Sequence, residues 1–370
     1  MTRTRITSTG RAWGWAILLV GGVLIWSPPD IGQARKELLT QEERDQQSRA
    51  ERIHLDTLAL TSHGPVDTTG LANAAAARLA QLGYRTIADP AQPHDVTVKI
   101  KCEELKTWEG TGHSGGDADM VDAAARLWKG PACQISYRFG TRWADWRHEV
   151  RTEFVNPQET ARKAGQSDAG AYAIAKLSER LQTDPFPFLL AAEWGQSSRL
   201  ITTLDAAGTT APQKQMVVGL LGSMLAVDAI PRLTSALMDP DPAVAQAAAS
   251  ALGTIGHEDS IPPLLNLFKS GTADQHRAAA LGLGRLAPLH PNSDIVPTFL
   301  AALPNEPVPM QTILVRALGK TTDRRVLEPL RTLHRSVLKQ ARSDSTPELK
   351  ELLTALGIAL DGFDGTHTEE

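Results

Sequence analysis

The sequence lacks the excess of positive charge that general nucleic-acid binding requires. Its 370 residues carry 38 Lys and Arg against 42 Asp and Glu, a formal net charge of −4. A protein that binds many phosphates needs Lys and Arg to displace the counterions around the nucleic acid. We therefore predict no nucleic-acid partner.

The sequence also lacks the common motifs of nucleophilic catalysis. It contains no G-x-S-x-G, and its ten His are scattered along the chain. The two places where His and Ser are adjacent, Ser62-His63 and His113-Ser114, have no third partner at a recognisable spacing. Glu103 and Glu104, beside the end of a predicted strand, could form an acid pair, but adjacent residues point to opposite faces, so a solvated pair is the preferred interpretation. We predict no catalytic residue and no cofactor.

Only one long apolar run occurs, at residues 12–26, directly after a start that carries three Arg and no acid. At about 1.5 Å per residue, this run is shorter than a membrane core of about 30 Å. It is predicted to be either a signal peptide within 1–34, with a weak cleavage candidate at Ala34, or a retained signal anchor whose Trp residues lie at the interface. In both cases we expect an exported body: periplasmic and tethered to the inner membrane, or periplasmic or secreted after cleavage.

A charged linker or solvated helix is expected at 35–52, followed by an α+β domain at 53–190. Strand-like alternation at 53–60, 95–102, 132–139 and 146–154 is interrupted by a helix-like stretch around Leu71–Leu82. A second helix, at 169–181, closes the region. This order predicts helices on one face of a mostly antiparallel sheet.

The chain has only two cysteines, Cys102 and Cys133, and both lie in phase with the apolar side of their strands. If these strands pair antiparallel, the two side chains can face each other. We predict a disulfide, worth about 3–4 kcal/mol in the chain-entropy model. Two separate buried thiols are the alternative.

Between the cysteines, Gly110-x-Gly112-x-x-Gly115 has the spacing of a dinucleotide-binding turn. The helix-like stretch after it is short, and no acid stands about twenty residues further on, so a connection between strands is the preferred interpretation. His113, Asp117 and Asp119 are weak candidates for a metal site, although Asp117 and Asp119 also suit a helix cap.

From residue 191 to 364, with a tail at 365–370, the pattern becomes helical and repetitive. A Leu-Gly pair recurs every 31 to 38 residues, ending at Gly222, Gly253, Gly284, Gly319 and Gly357. Apolar stretches that contain Pro follow the first four pairs. The period predicts stacked pairs of short helices, in which Gly ends the first helix and Pro lies in the first turn of the second.

Residues 212–360, approximately, resemble the HEAT repeat family, in particular short bacterial HEAT-like repeats. The resemblance rests on the end of a first helix, "AASALG" (248–253), and the start of a second helix, "IPPL" (261–264). The basic residue that such repeats often carry in the first helix is present only as Arg277. The resemblance implies an all-α solenoid that binds proteins, with the concave face of the stack as the expected contact surface.

One charged stripe has a functional interpretation. Arg331, Arg335, Lys339 and Arg342 recur at helical spacing opposite a Leu- and Val-rich face. They could attract an acidic partner or anionic lipid headgroups, and the alternative is a solvated helix face.

Together these features predict an exported or membrane-anchored scaffold that binds protein partners in the cell envelope without catalysis. Two alternatives stay open. One is a lyase or hydrolase with a site near 186–196, where Glu193 and Trp194 could line a pocket. The other is recognition of envelope surfaces by the α+β domain.

Overall fold

A computed structural model of the chain describes residues 40–108, 128–344 and 346–364. The described residues from Gln41 onwards belong to one compact unit. A sheet with its helices forms the first part, and stacked helices form the second, as predicted. The strands are β1 (Arg52–Thr61), β2 (Gly64–Pro65), β3 (Arg85–Ile87), β4 (Val96–Trp108), β5 (Trp128–Phe139) and β6 (Arg142–Arg151). The helices of this part are α1 (Gln41–Ser48), α2 (Thr69–Ala80), α3 (Pro157–Lys163) and α4 (Ala169–Leu181).

The sheet has the order β2-β1-β4-β5-β6, with β3 paired to β1 beside β2. The strands β4, β5 and β6 pair antiparallel, whereas β1 is parallel to β4 because α2 crosses over between them. Helices α2 and α4 contact each other and pack on the sheet. The expected α+β arrangement is therefore confirmed, with a parallel pair at its centre.

The apolar alternation of β4 and β5 sets the register that brings the two cysteines together. Val98, Ile100 and Cys102 are buried on one side of β4, and Cys102 stands directly opposite Cys133 of β5. Their sulfurs are bonded, with 2.03 Å between them. The predicted disulfide is confirmed.

Glu104, predicted to be solvated, is instead buried. Its carboxylate accepts hydrogen bonds from the Ser62 amide at 2.7 Å and from Nε2 of Gln158 at 3.0 Å. Gly170 of α4 lies close enough that a Cβ there would be 3.1 Å from Oε2 of Glu104. The prediction was wrong because the two chain segments that cover Glu104 are distant in sequence. Glu103 forms the ion pair expected of a solvated residue, with Lys101.

The second part consists of helix pairs stacked in two layers, and its described residues contain no strand. The first layer is α5 (Phe186–Glu193), α7 (Ala211–Ser223), α9 (Pro242–Ile255), α11 (Ala273–Leu286), α13 (Val308–Leu318) and α15 (Pro347–Asp364). The second layer is α6 (Ser197–Asp205), α8 (Ile230–Ala236), α10 (Ile261–Ser270), α12 (Ile295–Ala302) and α14 (Leu327–Ser343). Pro231 of α8 and Pro262 of α10 lie in the first turn, as predicted.

The repeat glycines lie close to the predicted helix ends but have a further role in packing. Gly319 directly follows α13, as predicted, whereas Gly222, Gly253 and Gly284 lie in the last turn of first-layer helices. A Cβ on Gly253 would lie 2.7 Å from the Gly282 carbonyl oxygen, and one on Gly222 would lie 2.9 Å from Cα of Ala251. These glycines are needed because successive first-layer helices pack backbone to backbone.

Clefts lie between successive helices of the second layer, and a groove also runs over α9, α11 and α13 of the first layer. Open clefts separate α8 from α10 and α10 from α12 in the second layer. The first-layer helices are in contact at their glycines. The side of the first layer that faces away from the second layer is called the first-layer face.

The sheet and the helical layers share a buried seam. Trp194, at the end of α5, is 1% exposed and packs edge-to-face on Tyr84 and Tyr137. Nε2 of Gln196 donates to the carbonyl oxygens of Gln47 and Ala50, so the last turn of α1 is attached here too. The charged helix expected within 35–52 is thus largely exposed, but its last turn is docked here and Glu43 in its first turn pairs with Arg142 of β6.

Among the described residues, no helix is long and apolar enough to cross a membrane. The predicted signal or anchor at 12–26 lies outside these residues and stays a prediction.

Candidate partner-binding surface

The first-layer face carries three rows of side chains at fixed positions relative to the repeat glycines. Seven residues before each glycine the row reads Gln215, Gln246, Arg277 and the buried Thr312. Three residues before, it reads Gly219, Ser250, Leu281 and Arg316, and one residue after, Ser223, Thr254, Arg285 and Lys320. The surface therefore changes along the array, from small neutral side chains on α7 and α9 to cationic and large apolar ones on α11 and α13.

A groove of about 400 Å³ runs over α9, α11 and α13 at this change of character. Leu281 and Ile313 provide its largest apolar side chains, and Leu281 is 42% exposed. Arg285, Arg316 and Lys320 provide its charge. The residues that line the groove include no carboxylate.

Two of the three cations are held by contacts that cross between neighbouring first-layer helices. Nη1 of Arg285 donates to the carbonyl oxygen and to Oγ of Ser250, at 3.0 and 2.7 Å, and so reaches from α11 to α9. Nη2 of Arg316 lies 2.9 Å from Oε1 of Glu351 on α15, and both side chains are 57% exposed. Lys320 has no ion-pair partner within the described part of the chain. The groove therefore has positive charge at Arg285 and Lys320 without an acidic partner among the residues that the structure describes, and of these two Arg285 is held in place.

The comparison with family models agrees with this architecture. The model for HEAT repeats matches residues 204–284, which contain α7 to α10 and most of α11. This part of the chain is an array of HEAT repeats. No curated protein matches the sequence. The match ends at the repeat glycine of α11, so the cationic side chains of the groove, Arg285, Arg316 and Lys320, lie beyond it.

The predicted stripe lies on a different surface of the helical array. Arg331, Arg335, Lys339 and Arg342 are all exposed on α14, in the second layer. Nη1 of Arg331 is 3.1 Å from Oε1 of Glu328, and Nε of Arg335 donates to the Arg331 carbonyl oxygen. The structure therefore does not bring the stripe together with the groove. Its role in partner binding stays a prediction.

The remaining predicted positions contribute no site in the described residues. His113, Asp117 and Asp119 lie outside them, as does the Gly110–Gly115 motif. Within the described ranges no three His, Cys, Asp or Glu side chains are grouped as metal ligands.

Trp194 fills the seam, and Oε1 of Glu193 accepts a hydrogen bond from the Tyr137 hydroxyl at 3.0 Å. Burial raises the pKa of Tyr137, and the Glu193 charge and this hydrogen bond raise it further. The tyrosine therefore stays a neutral donor.

The sequence interpretation did not identify the groove, although a signal was present. Once the repeats are aligned on their glycines, Leu281 and Arg316 occupy the position of Ser250. Arg285 and Lys320 occupy the position of Thr254. Only the structure shows that these positions face outwards together on the first-layer face.

Proposed function

We propose that this protein is an exported or membrane-tethered scaffold whose HEAT array binds protein partners in the cell envelope and that it catalyses no reaction. The groove over α9, α11 and α13 is the observation that carries this proposal. It exposes apolar and cationic side chains that the described part of the chain leaves largely uncovered, and such a surface gains free energy when a complementary partner covers it.

Two features of the chain support export. The basic start followed by the apolar run at 12–26 is typical of a signal peptide or signal anchor. The disulfide between Cys102 and Cys133 suits an oxidising compartment, since cytosolic thiols are kept reduced.

The filled seam supports binding over catalysis. The region near 186–196, where an enzyme site was considered, is packed with the rings of Tyr84, Tyr137 and Trp194. The groove, in contrast, is an open surface with no pair of titratable groups poised for acid–base chemistry.

Site-specific photo-crosslinking in cells tests the proposal. A photoreactive residue at Thr254, exposed on the first-layer face at α9, is compared with one at Ser235, exposed on α8 of the second layer. We expect Thr254 to capture a defined envelope protein in a near-stoichiometric complex, and Ser235 to capture little. Cell fractionation in the same strains reports the location.

Two results would contradict the proposal. A chain found in the cytoplasm would refute the envelope assignment. Failure of both positions to capture a protein, together with a small molecule that copurifies, would favour the enzyme alternative.

A further inference from the structure

The groove is positively charged, although the net charge of the whole protein is negative. The whole chain has a net charge of −4. The groove nevertheless collects Arg285, Arg316 and Lys320, and the acid nearest to them in the ion-pair network is Glu351, bound to Arg316. Arg285 and Lys320 have no acidic partner among the described residues, so their repulsion lowers the stability of the array unless an anionic ligand compensates it.

The contact between Arg285 and Ser250 fixes where an anion can bind. Only Nη1 of Arg285 is used in that contact, and a guanidinium has five N–H donors in a rigid plane. A guanidinium held at one nitrogen has already lost much of its rotamer freedom, so it binds a carboxylate at a lower entropic cost. A carboxylate is the anion whose two oxygens match this planar fork.

The apolar floor indicates that the anion is part of a polypeptide. Leu281 stands one helical turn before Arg285, about 6 Å along the axis of α11, and Ile313 lies across from it on α13. With neighbouring axes about 8–10 Å apart, the groove over three helices has the length of about five extended residues. A ligand that fills it needs an apolar side chain for the floor and acids on both sides.

We propose that this groove binds a short extended segment of a partner protein, in which an apolar residue is flanked by acidic residues. Leu281 and Ile313 receive the apolar side chain, and Arg285 and Lys320 pair with the acids. The inference rests on the proposed scaffold function and specifies the chemistry of its partner.

Other polyanions fit the groove less well. Nucleic acid binding depends on many phosphate contacts, and three cations around an apolar floor provide few. Anionic lipid headgroups are recognised by basic clusters that lie on a membrane surface, whereas these cations line a recess between helices. Both ligands serve as comparison probes in the experiment.

The experiment measures binding of a fluorescein-labelled peptide, Gly-Asp-Glu-Leu-Glu-Asp-Gly, to the full chain by fluorescence anisotropy. A second peptide has amides in place of the four carboxylates, and a third has Gly in place of Leu. We expect the first peptide to bind roughly tenfold more tightly than either of the others, with an affinity that falls as salt is added.

Charge reversal at two sites locates the interaction. The variant Arg285→Glu/Lys320→Glu alters the groove, and Arg331→Glu/Arg335→Glu makes the same change in net charge on α14. All four side chains are exposed, so both variants should fold, which circular dichroism checks. We expect the groove variant to lose at least about tenfold in affinity and the α14 variant to lose less than about twofold. The variant Leu281→Ser should lose affinity for the Leu-containing peptide only.

Three outcomes would overturn the inference. They are equal binding of the acidic and amide peptides, an equal loss in both charge-reversal variants, and tighter binding of oligothymidine or of phosphatidylglycerol vesicles through the groove cations. None of them affects the crosslinking result, so a scaffold that uses other partner chemistry would still be detected.

Discussion

Leu225 is the residue whose backbone is under the clearest strain. Its φ is +54°, in the left-handed region that β-carbon crowding disfavours, and no other described residue except glycine has a positive φ. It stands three residues after Gly222, as Gly256 stands three residues after Gly253, and Gly256 has a φ of +76°. The two positions form the same turn between the layers. One repeat therefore uses leucine where its neighbour uses glycine.

Replacing Leu225 with Gly should stabilise the protein by about 0.5–1 kcal/mol. The substitution relieves the left-handed strain, which costs about 1 kcal/mol or more, and it removes a side chain that is already 55% exposed. Part of the gain is offset by the extra freedom of glycine in the unfolded chain. Urea unfolding of the two proteins measures the difference.

Gly256→Leu is the control for this prediction. A Cβ at Gly256 would lie 3.1 Å from Cδ1 of Leu289, and φ is positive, so this variant should be destabilised. A Leu225→Gly protein that is less stable than wild type would show that the exposed leucine makes a contact worth more than the strain.

At the scale of helices, the same Gly→Ala substitution should stabilise the protein at one repeat glycine and destabilise it at another. In a helix interior, Gly→Ala normally stabilises by up to about 1 kcal/mol. At Gly357 on α15 nothing lies within 4 Å of the new Cβ, so Gly357→Ala should show this gain. At Gly253, the Cβ would lie 2.7 and 2.8 Å from the oxygen and Cα of Gly282. Gly253→Ala should therefore destabilise by about 1–3 kcal/mol, since the helices must separate.

Thermal and urea unfolding of the two alanine variants test the backbone contact directly. A third variant, Gly219→Ala on α7, also has open space around the new Cβ and should behave like Gly357→Ala. Stabilisation of all three proteins would mean that the first-layer helices are further apart than the structure has them.

Elements with one apolar and one polar side could be predicted from the sequence, whereas short strands and helices rich in Ala and Gly could not. Alternation identified β4 and β5, and the face of α4 that buries Ile174, Leu177 and Leu181 was read correctly, because each has one apolar and one polar side. The strand β3 escaped notice because three residues are too few to show a period. Helices rich in Ala and Gly, such as α9, have no strongly polar face, so the sequence did not reveal which side packs and which side forms the groove.

At the scale of the whole molecule, the seam determines how the two parts can be separated. The predicted boundary between residues 190 and 191 stays a prediction, and it would divide the seam. Trp194 and Gln196 follow it in sequence, but their partners Tyr84, Tyr137 and Ala50 belong to the sheet part. Oε1 of Gln196 also accepts a hydrogen bond from the Tyr84 hydroxyl at 2.6 Å, and the Arg199 guanidinium lies 4.3 Å from the centre of that ring. The sheet part therefore needs α5 and the start of α6 for its core.

We expect a fragment of residues 41–208 to fold and a fragment of residues 41–190 to be severely destabilised. The shorter fragment lacks Trp194, and loss of a buried Trp side chain costs about 3–5 kcal/mol, a large part of the stability of a domain of this size. Near-ultraviolet circular dichroism and urea unfolding compare the fragments, and Trp194→Ala in the full chain provides the matched measurement without truncation. Equal stability of the two fragments would place the boundary where the sequence predicted it. If only the longer fragment folds, the first helix pair of the array also completes the core of the sheet. Partner binding at the groove is then connected to the α+β part through continuous packing rather than through a flexible linker.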